Sequence, residues 1–457
     1  MQRKSIPGTL LMLLAILLLV TGTFARSWRA GDECPSTIKV SIPGGRYYRD
    51  DEPKKPLLDT MASVHAALTT CPNITSLDLR VSLQGCSNWP DRWSFPFSLP
   101  GGETYPALRQ IRLEGYRFDD RPVDETGWPK GSYLPWYEKS LDWVFSGNAM
   151  RALRYHMLPR EQREKNNIQL WLDAMDWSQV EEFAFLGHQQ PDTVSALLNS
   201  TQGVMPGLRR VELGRGQPWS TLQFLLNVER HSLTHLTSID SFNRKTPFAL
   251  REVQGDSLQH IDLHTVETTL VESPAYTATE LEHFKHMPNL THLSLNIARN
   301  GTWLFEELSA ISQIPSLRTA ELWLDITSMC RKQKVDNGHY NVEDPNCKGR
   351  DQYLLPYINE TSTLEVFKFL RAKKIGEELT NVTFWGGDWS RPWDGPVYSP
   401  PWIEGRKVKV LCTNGKEEHG SGEENCTVLT GVEYWDQKAR WYEDVDEMWL
   451  NDSEQFY

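Results

Sequence analysis

One nine-residue phrase recurs five times in this chain and constrains its fold more than any other feature. It reads Cys71-Pro-Asn-Ile-Thr-Ser-Leu-Asp-Leu79, then Tyr105-Pro-Ala-Leu-Arg-Gln-Ile-Arg-Leu113, then Met205-Pro-Gly-Leu-Arg-Arg-Val-Glu-Leu213. It returns as Met287-Pro-Asn-Leu-Thr-His-Leu-Ser-Leu295 and Ile314-Pro-Ser-Leu-Arg-Thr-Ala-Glu-Leu322. Copies lacking the proline begin at Val180, Leu233, Leu258 and Leu364. Successive prolines are 34, 100, 82 and 27 residues apart, close to multiples of a repeat of roughly 25 to 34 residues. Proline cannot continue a helix and biases the residue before it to extended geometry, so each phrase ends one element and launches a strand. Period-two alternation then buries the last two apolar residues of each phrase on one side and turns the residues between them to the other.

Helix-like stretches separate the phrases. Asp59 is placed to cap a segment carrying Met61, Val64 and Leu68, and Asp192 one carrying Val194, Leu197 and Leu198. Ser220 or Thr221 precedes Leu222, Leu225 and Leu226, and residues 303–314 carry apolar side chains at helical spacing, as do residues 168–175. The pattern predicts an α/β solenoid with parallel strands on a concave face, helices on the convex face and disulfide-stapled caps. The expected division is a signal peptide at 1–25, an N-terminal cap at 26–70 and a repeat array at 71–384. An insertion at about 117–167 interrupts the array, and a Trp-rich cap with an acidic tail occupies 385–457.

The phrase P-x-L-x-x-L-x-L at these unit lengths resembles the leucine-rich-repeat superfamily over roughly Leu57 to Trp385. It is most similar to the irregular repeats of F-box/leucine-rich-repeat proteins and their secreted relatives in filamentous fungi. That resemblance implies a solenoid and a recognition role, not a particular chemistry. No F-box-like helical segment precedes the repeats, so a ubiquitin-ligase adaptor role does not carry over.

The compartment is read separately. Arg3 and Lys4 precede an eleven-residue apolar run, Leu10 to Val20, and small residues at Thr23 and Ala25, the pattern of a secretory signal cleaved after Ala25. That run is short for a bilayer core, so no stable membrane insertion is expected once it is removed. Eight Asn-x-Ser/Thr sequons follow, at Asn73, Asn199, Asn289, Asn300, Asn359, Asn381, Asn425 and Asn451. All seven cysteines lie beyond the signal, and close spacing suggests the pairs Cys71–Cys86, Cys330–Cys347 and Cys412–Cys426 with Cys34 left over. The first pair is open to exchange, because Cys34 can take either partner. The formal charge of −12 without a clustered basic face argues against nucleic acid as a partner.

Signatures of catalysis are absent: there is no H-E-x-x-H, G-x-S-x-G, phosphate-cradling loop or dinucleotide fingerprint. No cofactor is implied and no residue takes a catalytic role. Attention falls on the strand face away from the core. His235, His260 and His292 occupy one repeat position, so strands about 4.8 Å apart would stack them as a ladder with the spacing to bind a metal or sense pH. Alternation places Asp262 and His264 beside His260, and Ser294 and Asn296 beside His292. Arg112, Glu114, Glu212, Glu321 and Trp323 complete the expected contact face. Asp336-Asn337-Gly338 between Cys330 and Cys347 reads as a turn in a stapled loop, short of a calcium-binding spacing. The expected function is therefore secreted, non-enzymatic recognition of a protein or glycan through the concave face and loops. The alternative is carbohydrate binding or processing by the terminal tryptophans, Trp385, Trp389, Trp393, Trp402, Trp435, Trp441 and Trp449.

Overall fold

In the computed structural model each recurring phrase is a strand. The structure describes residues 34–42, 64–81, 99, 103–114, 116, 165–186, 198–201, 203–214, 218–265, 275–299, 302–326, 356–386, 408–415 and 424–429. Among the described residues twelve strands form one open sheet in strict sequence order. They are β1 (Thr37–Ile42), β2 (Ser76–Val81), β3 (Gln110–Glu114), β4 (Glu182–Leu186), β5 (Arg210–Gly214) and β6 (His235–Ile239). After them come β7 (His260–Asp262), β8 (His292–Arg299), β9 (Thr319–Ile326), β10 (Asn381–Gly386), β11 (Val408–Asn414) and β12 (Glu424–Leu429). Pairing is parallel from β1 to β10, and β10, β11 and β12 then pair antiparallel. Helices include α1 (Asn167–Ala174), α2 (Pro218–Asn227), α3 (Thr246–Gln254), α4 (Ala278–Leu281), α5 (Phe305–Ser312) and α6 (Glu360–Lys373), and residues 64–70 and 198–200 are helical as well. This alternation of strand and helix beside a sequential parallel sheet is compatible with a repeat solenoid.

One backbone contact repeats through the array. Arg109 and Gln110 both donate to the Thr75 carbonyl, Glu181 and Glu182 to that of Arg109, and Arg209 and Arg210 to that of Glu181. The same forked start recurs at Thr234 and His235, at Gln259 and His260, at Thr291 and His292, and at Arg318 and Thr319. Uneven connections therefore do not disturb the register, because each strand is anchored at its first residue.

Alternation assigns the two faces. Leu77, Leu79, Ile111, Leu113, Phe183, Phe185, Leu236, Ile261, Leu293, Leu295 and Leu322 are buried in one core with Phe224, Leu225, Leu250, Leu308, Ile311, Phe367 and Leu370 of the helices. Burying each such side chain contributes about 1.5–3 kcal/mol. Around β3 and β4 the core is aromatic: Trp171 of α1 meets Tyr105, Tyr116 and Trp177 edge-on, and its indole N–H donates to the Tyr116 hydroxyl at 3.1 Å.

Several expectations need correction. Leu364 does not start a strand: Leu364-Glu-Val-Phe-Lys-Phe lies inside α6, where Val366, Phe367 and Leu370 bury one helical stripe and Asn359 with Ser362 forms a capping box. The strand of that unit is β10, launched by Leu379 with Val382 and Phe384 facing the core. Ser220 and Thr221 are not caps but buried residues of α2, which begins at Pro218 because proline is preorganised for the first helical turn. Cys71 pairs with Cys34 rather than Cys86, tying the N-terminal strand β1 to the turn before β2. Cys412–Cys426 forms as expected and joins the β11–β12 hairpin. Cys86, Cys330 and Cys347 fall outside the described residues. So do the signal segment, nearly all of the insertion, the calcium-like loop, the acidic tail, and Trp389, Trp393, Trp402, Trp435, Trp441 and Trp449.

Candidate functional site

The sheet face opposite the core carries three in-register rows. The first runs Glu182, Arg210, His235, His260, His292, Thr319, Asn381. The second runs Arg112, Ala184, Glu212, Thr237, Asp262, Ser294, Glu321, Thr383. The third includes Asn296, Trp323, Trp385 and Lys409.

In the first row the imidazoles form the expected ladder. His235 and His260 stack with centroids 5.5 Å apart, and His260 and His292 with centroids 4.0 Å apart and planes within 3°. His235 Nδ1 lies 3.0 Å from the Thr234 hydroxyl and His292 Nδ1 2.8 Å from the Thr319 hydroxyl. Burial first, then the Arg210 guanidinium and His292, push His235 below the usual imidazole range, with Glu182 acting in the opposite direction. Parallel rings at these separations do not aim their nitrogens at one point. Among the described residues no group of three or more His, Cys, Asp or Glu side chains is arranged to hold a metal ion.

In the second row Arg112 reaches Glu212 at 2.8 Å, across the intervening β4. The residue between them is Ala184, and only a small side chain leaves room for that bridge. Further along, the second and third rows merge into one cluster. Asp262 Oδ1 holds His264 Nδ1 at 2.6 Å, and the His264 ring lies flat on Trp323 with centroids 4.0 Å apart. Trp323 stacks on Trp385 at 4.8 Å, and the Lys409 ammonium sits 4.5 Å from the Trp385 centroid. Each indole N–H is spoken for: Trp323 donates to Ser294 Oγ at 3.1 Å and Trp385 to Glu321 Oε2 at 2.9 Å. Asn296 beneath the stack exchanges two hydrogen bonds with the Thr265 backbone.

The candidate residues thus separate into two sets. Arg112, Glu212, His235, His260, His292 and Glu321 remain partly accessible. Glu114, Asp262, His264, Ser294, Asn296 and Trp323 are buried, with Trp323 only 3% exposed, so they support the face from below instead of presenting it. Flat rings cover one another and the polar groups under them, which alternation alone does not reveal. Lys409 and Trp385 are members of this cluster that the strand pattern did not single out. Their signal was available only in the pairing of β10 with β9 and β11.

Asp176 is held low by the Ser178 hydroxyl and amide. At Glu280 burial works upward but is outweighed by the Thr277 amide and hydroxyl and by Arg244. Both carboxylates cap helical turns. A shallow crevice between residues 201–208 and the end of α2 has Glu229 as its one titratable side chain. Comparison with models of known protein families and with curated proteins finds no match.

Proposed function

We propose that this is a secreted leucine-rich-repeat protein that recognises a macromolecular partner, without catalysis, through the sheet face opposite its helices. The observation that carries the reading is the division of labour on that face. Half-buried Arg112, Glu212, the three histidines and Glu321 stand in fixed register on a floor of stacked, hydrogen-bonded side chains. A preformed surface of this kind loses little entropy on binding, which is the condition for tight recognition by a rigid scaffold. Secretion is supported by two disulfides, which persist in oxidising compartments, and by the absence among the described residues of any helix long and apolar enough to cross a membrane. The carbohydrate-binding alternative has less support: Trp385, the terminal tryptophan within the described residues, is 2% exposed and committed to a stack.

The test uses the purified chain, immobilised and presented with extracellular fluid from its own source. Two variants accompany it, Thr237→Arg on the proposed face and Phe248→Arg on the exposed side of α3. Recognition through the sheet face requires that the first variant lose the captured partner and the second keep it. The opposite pattern, or turnover of the captured molecule, overturns the proposal.

A further inference from the structure

Two of the sequons lie on the proposed recognition face itself, and the inference drawn from them rests on the secretory part of that reading. Asn381 opens β10, and register carries its row through Thr413 of β11 to Asn425 of β12. Residues paired across neighbouring strands project from the same side of a sheet, so both asparagines share the face of Thr319 and His292. Both are exposed, and each is followed two residues on by the threonine that the acceptor pattern requires, Thr383 and Thr427. We propose that Asn381 and Asn425 carry N-linked oligosaccharides, and that these sugars close the face over β10–β12 and leave β3–β9 as the part a partner reaches.

The local structure accommodates both chains. The residues inside the two sequons, Val382 and Cys426, turn the other way and are buried in the core. The Cys412–Cys426 bridge therefore lies on the core side of the hairpin, away from the Asn425 amide. Two strand spacings, about 9.6 Å, separate the rows of β10 and β12 and leave room for a saccharide on each. Transfer forms a bond from the side-chain amide nitrogen to the anomeric carbon of an oligosaccharide carried on a polyprenyl diphosphate. The bond from that carbon to the carrier oxygen breaks, the diphosphate leaves, and the amide gives up one of its two hydrogens as a proton. The product is an uncharged amide with its carbonyl and one N–H, so the modification adds bulk without disturbing the charges of the neighbouring row.

The other sequons among the described residues are placed differently. Asn73 and Asn289 lie in the turns before β2 and β8, Asn199 lies in the helical residues 198–200, and Asn359 caps α6. No Asn-x-Ser/Thr falls within β3–β9. The acceptors on the face are thus confined to the end where the sheet turns antiparallel, and the rows from Arg112 and Glu182 to Glu321 and Thr319 are left without one.

The experiment uses the full chain secreted from a eukaryotic culture. Its N-glycans are released enzymatically in heavy-oxygen water, which marks each formerly occupied asparagine, and the peptides are mapped by mass spectrometry. Asn381 and Asn425 are both expected to carry the mark in most molecules. Hydroxyl-radical oxidation then compares wild type with the double variant Asn381→Gln, Asn425→Gln. Leu411, paired with Thr383 and Thr427 on the same face, should be oxidised at least about twofold more in the variant, because a bulky saccharide no longer covers it. Phe248, exposed on α3, should not change. If the variant is not secreted, wild type stripped of its glycans by the same enzyme gives the comparison. An unmarked Asn381 or Asn425, or equal oxidation of Leu411 with and without the sugars, overturns the proposal. Unmarked sites in a chain whose partner is lost on Thr237→Arg would remove this inference while leaving the recognition reading in place; marked sites with the partner lost on Phe248→Arg instead would do the reverse.

Discussion

Single side chains set both the stability and the pH response of this molecule. Gln254 is fully buried, and its amide closes a connection: Oε1 accepts from the amides of Ser232 and Leu233 at 3.1 Å each, and Nε2 donates to the Glu229 carbonyl at 2.8 Å. Gln254→Leu keeps the volume and strands the buried Leu233 amide, while the Ser232 amide and the Glu229 carbonyl keep the bonds between them, so thermal unfolding should register a loss of about 1–3 kcal/mol. His235 gives a pH prediction. Its folded-state proton affinity lies below the unfolded value because burial and Arg210 disfavour the charged ring. The stability it contributes is complete above the unfolded imidazole pKa of about 6.5 and is lost as pH falls below it. The melting temperature should therefore drop on acidification from about pH 7.5 to 5.5, and His235→Gln should reduce the drop. The role of Gln254 was not legible in the sequence. The ladder was visible because Leu-x-His repeats at one position, whereas the partners of Gln254 come from a turn 21 and 22 residues upstream.

At the scale of elements, the phrase was legible with its proline and, at Val180, Leu233 and Leu258, without it, giving β4, β6 and β7. The five phrases with Pro at the second position became β2, β3, β5, β8 and β9. Among the copies without it, Leu364 was misread because L-x-x-F-x-F satisfies both a strand alternation and a helical stripe, and the Asn359 cap decides for the helix. That cap is also a sequon, and the two roles can be separated. Asn359→Ala should destabilise the protein by about 1 kcal/mol through loss of the capping box. Thr361→Ala abolishes the sequon but keeps the cap, so in non-glycosylated material it should melt close to wild type. A second element-scale prediction concerns the turn after α6. Gly376 has φ +73°, and a Cβ there would approach the Pro315 carbonyl oxygen to 2.5 Å. Gly376→Ala should lower the melting temperature more than an ordinary surface substitution, which typically stays within about 0.5 kcal/mol.

For the whole molecule, what the sequence could not display is the contact between units. The Arg112–Glu212 bridge spans 100 residues, and the His264–Trp323–Trp385–Lys409 stack joins β10 and β11 to residues some 60 or more positions earlier. Both follow from register, which exists only once strands pair. Register also explains why the expected contact face is half support: residues two apart on one strand project together, but the rings of His264, Trp323 and Trp385 lie flat on one another and cover their neighbours. The N-terminal strand depends on the Cys34–Cys71 bridge across 37 residues. Removing it with Cys34→Ser and Cys71→Ser should cost about 2–4 kcal/mol, localised to β1 and β2 by hydrogen exchange.

Hydroxyl-radical footprinting of the protein, alone and with any partner it captures, tests the proposed recognition surface directly. Recognition through the sheet face predicts protection of His235, His260 and His292, with Trp219, Phe248 and Phe305 on the helical side as reactive as in the free chain. Protection of those three aromatic residues, with the histidines unchanged, would contradict it.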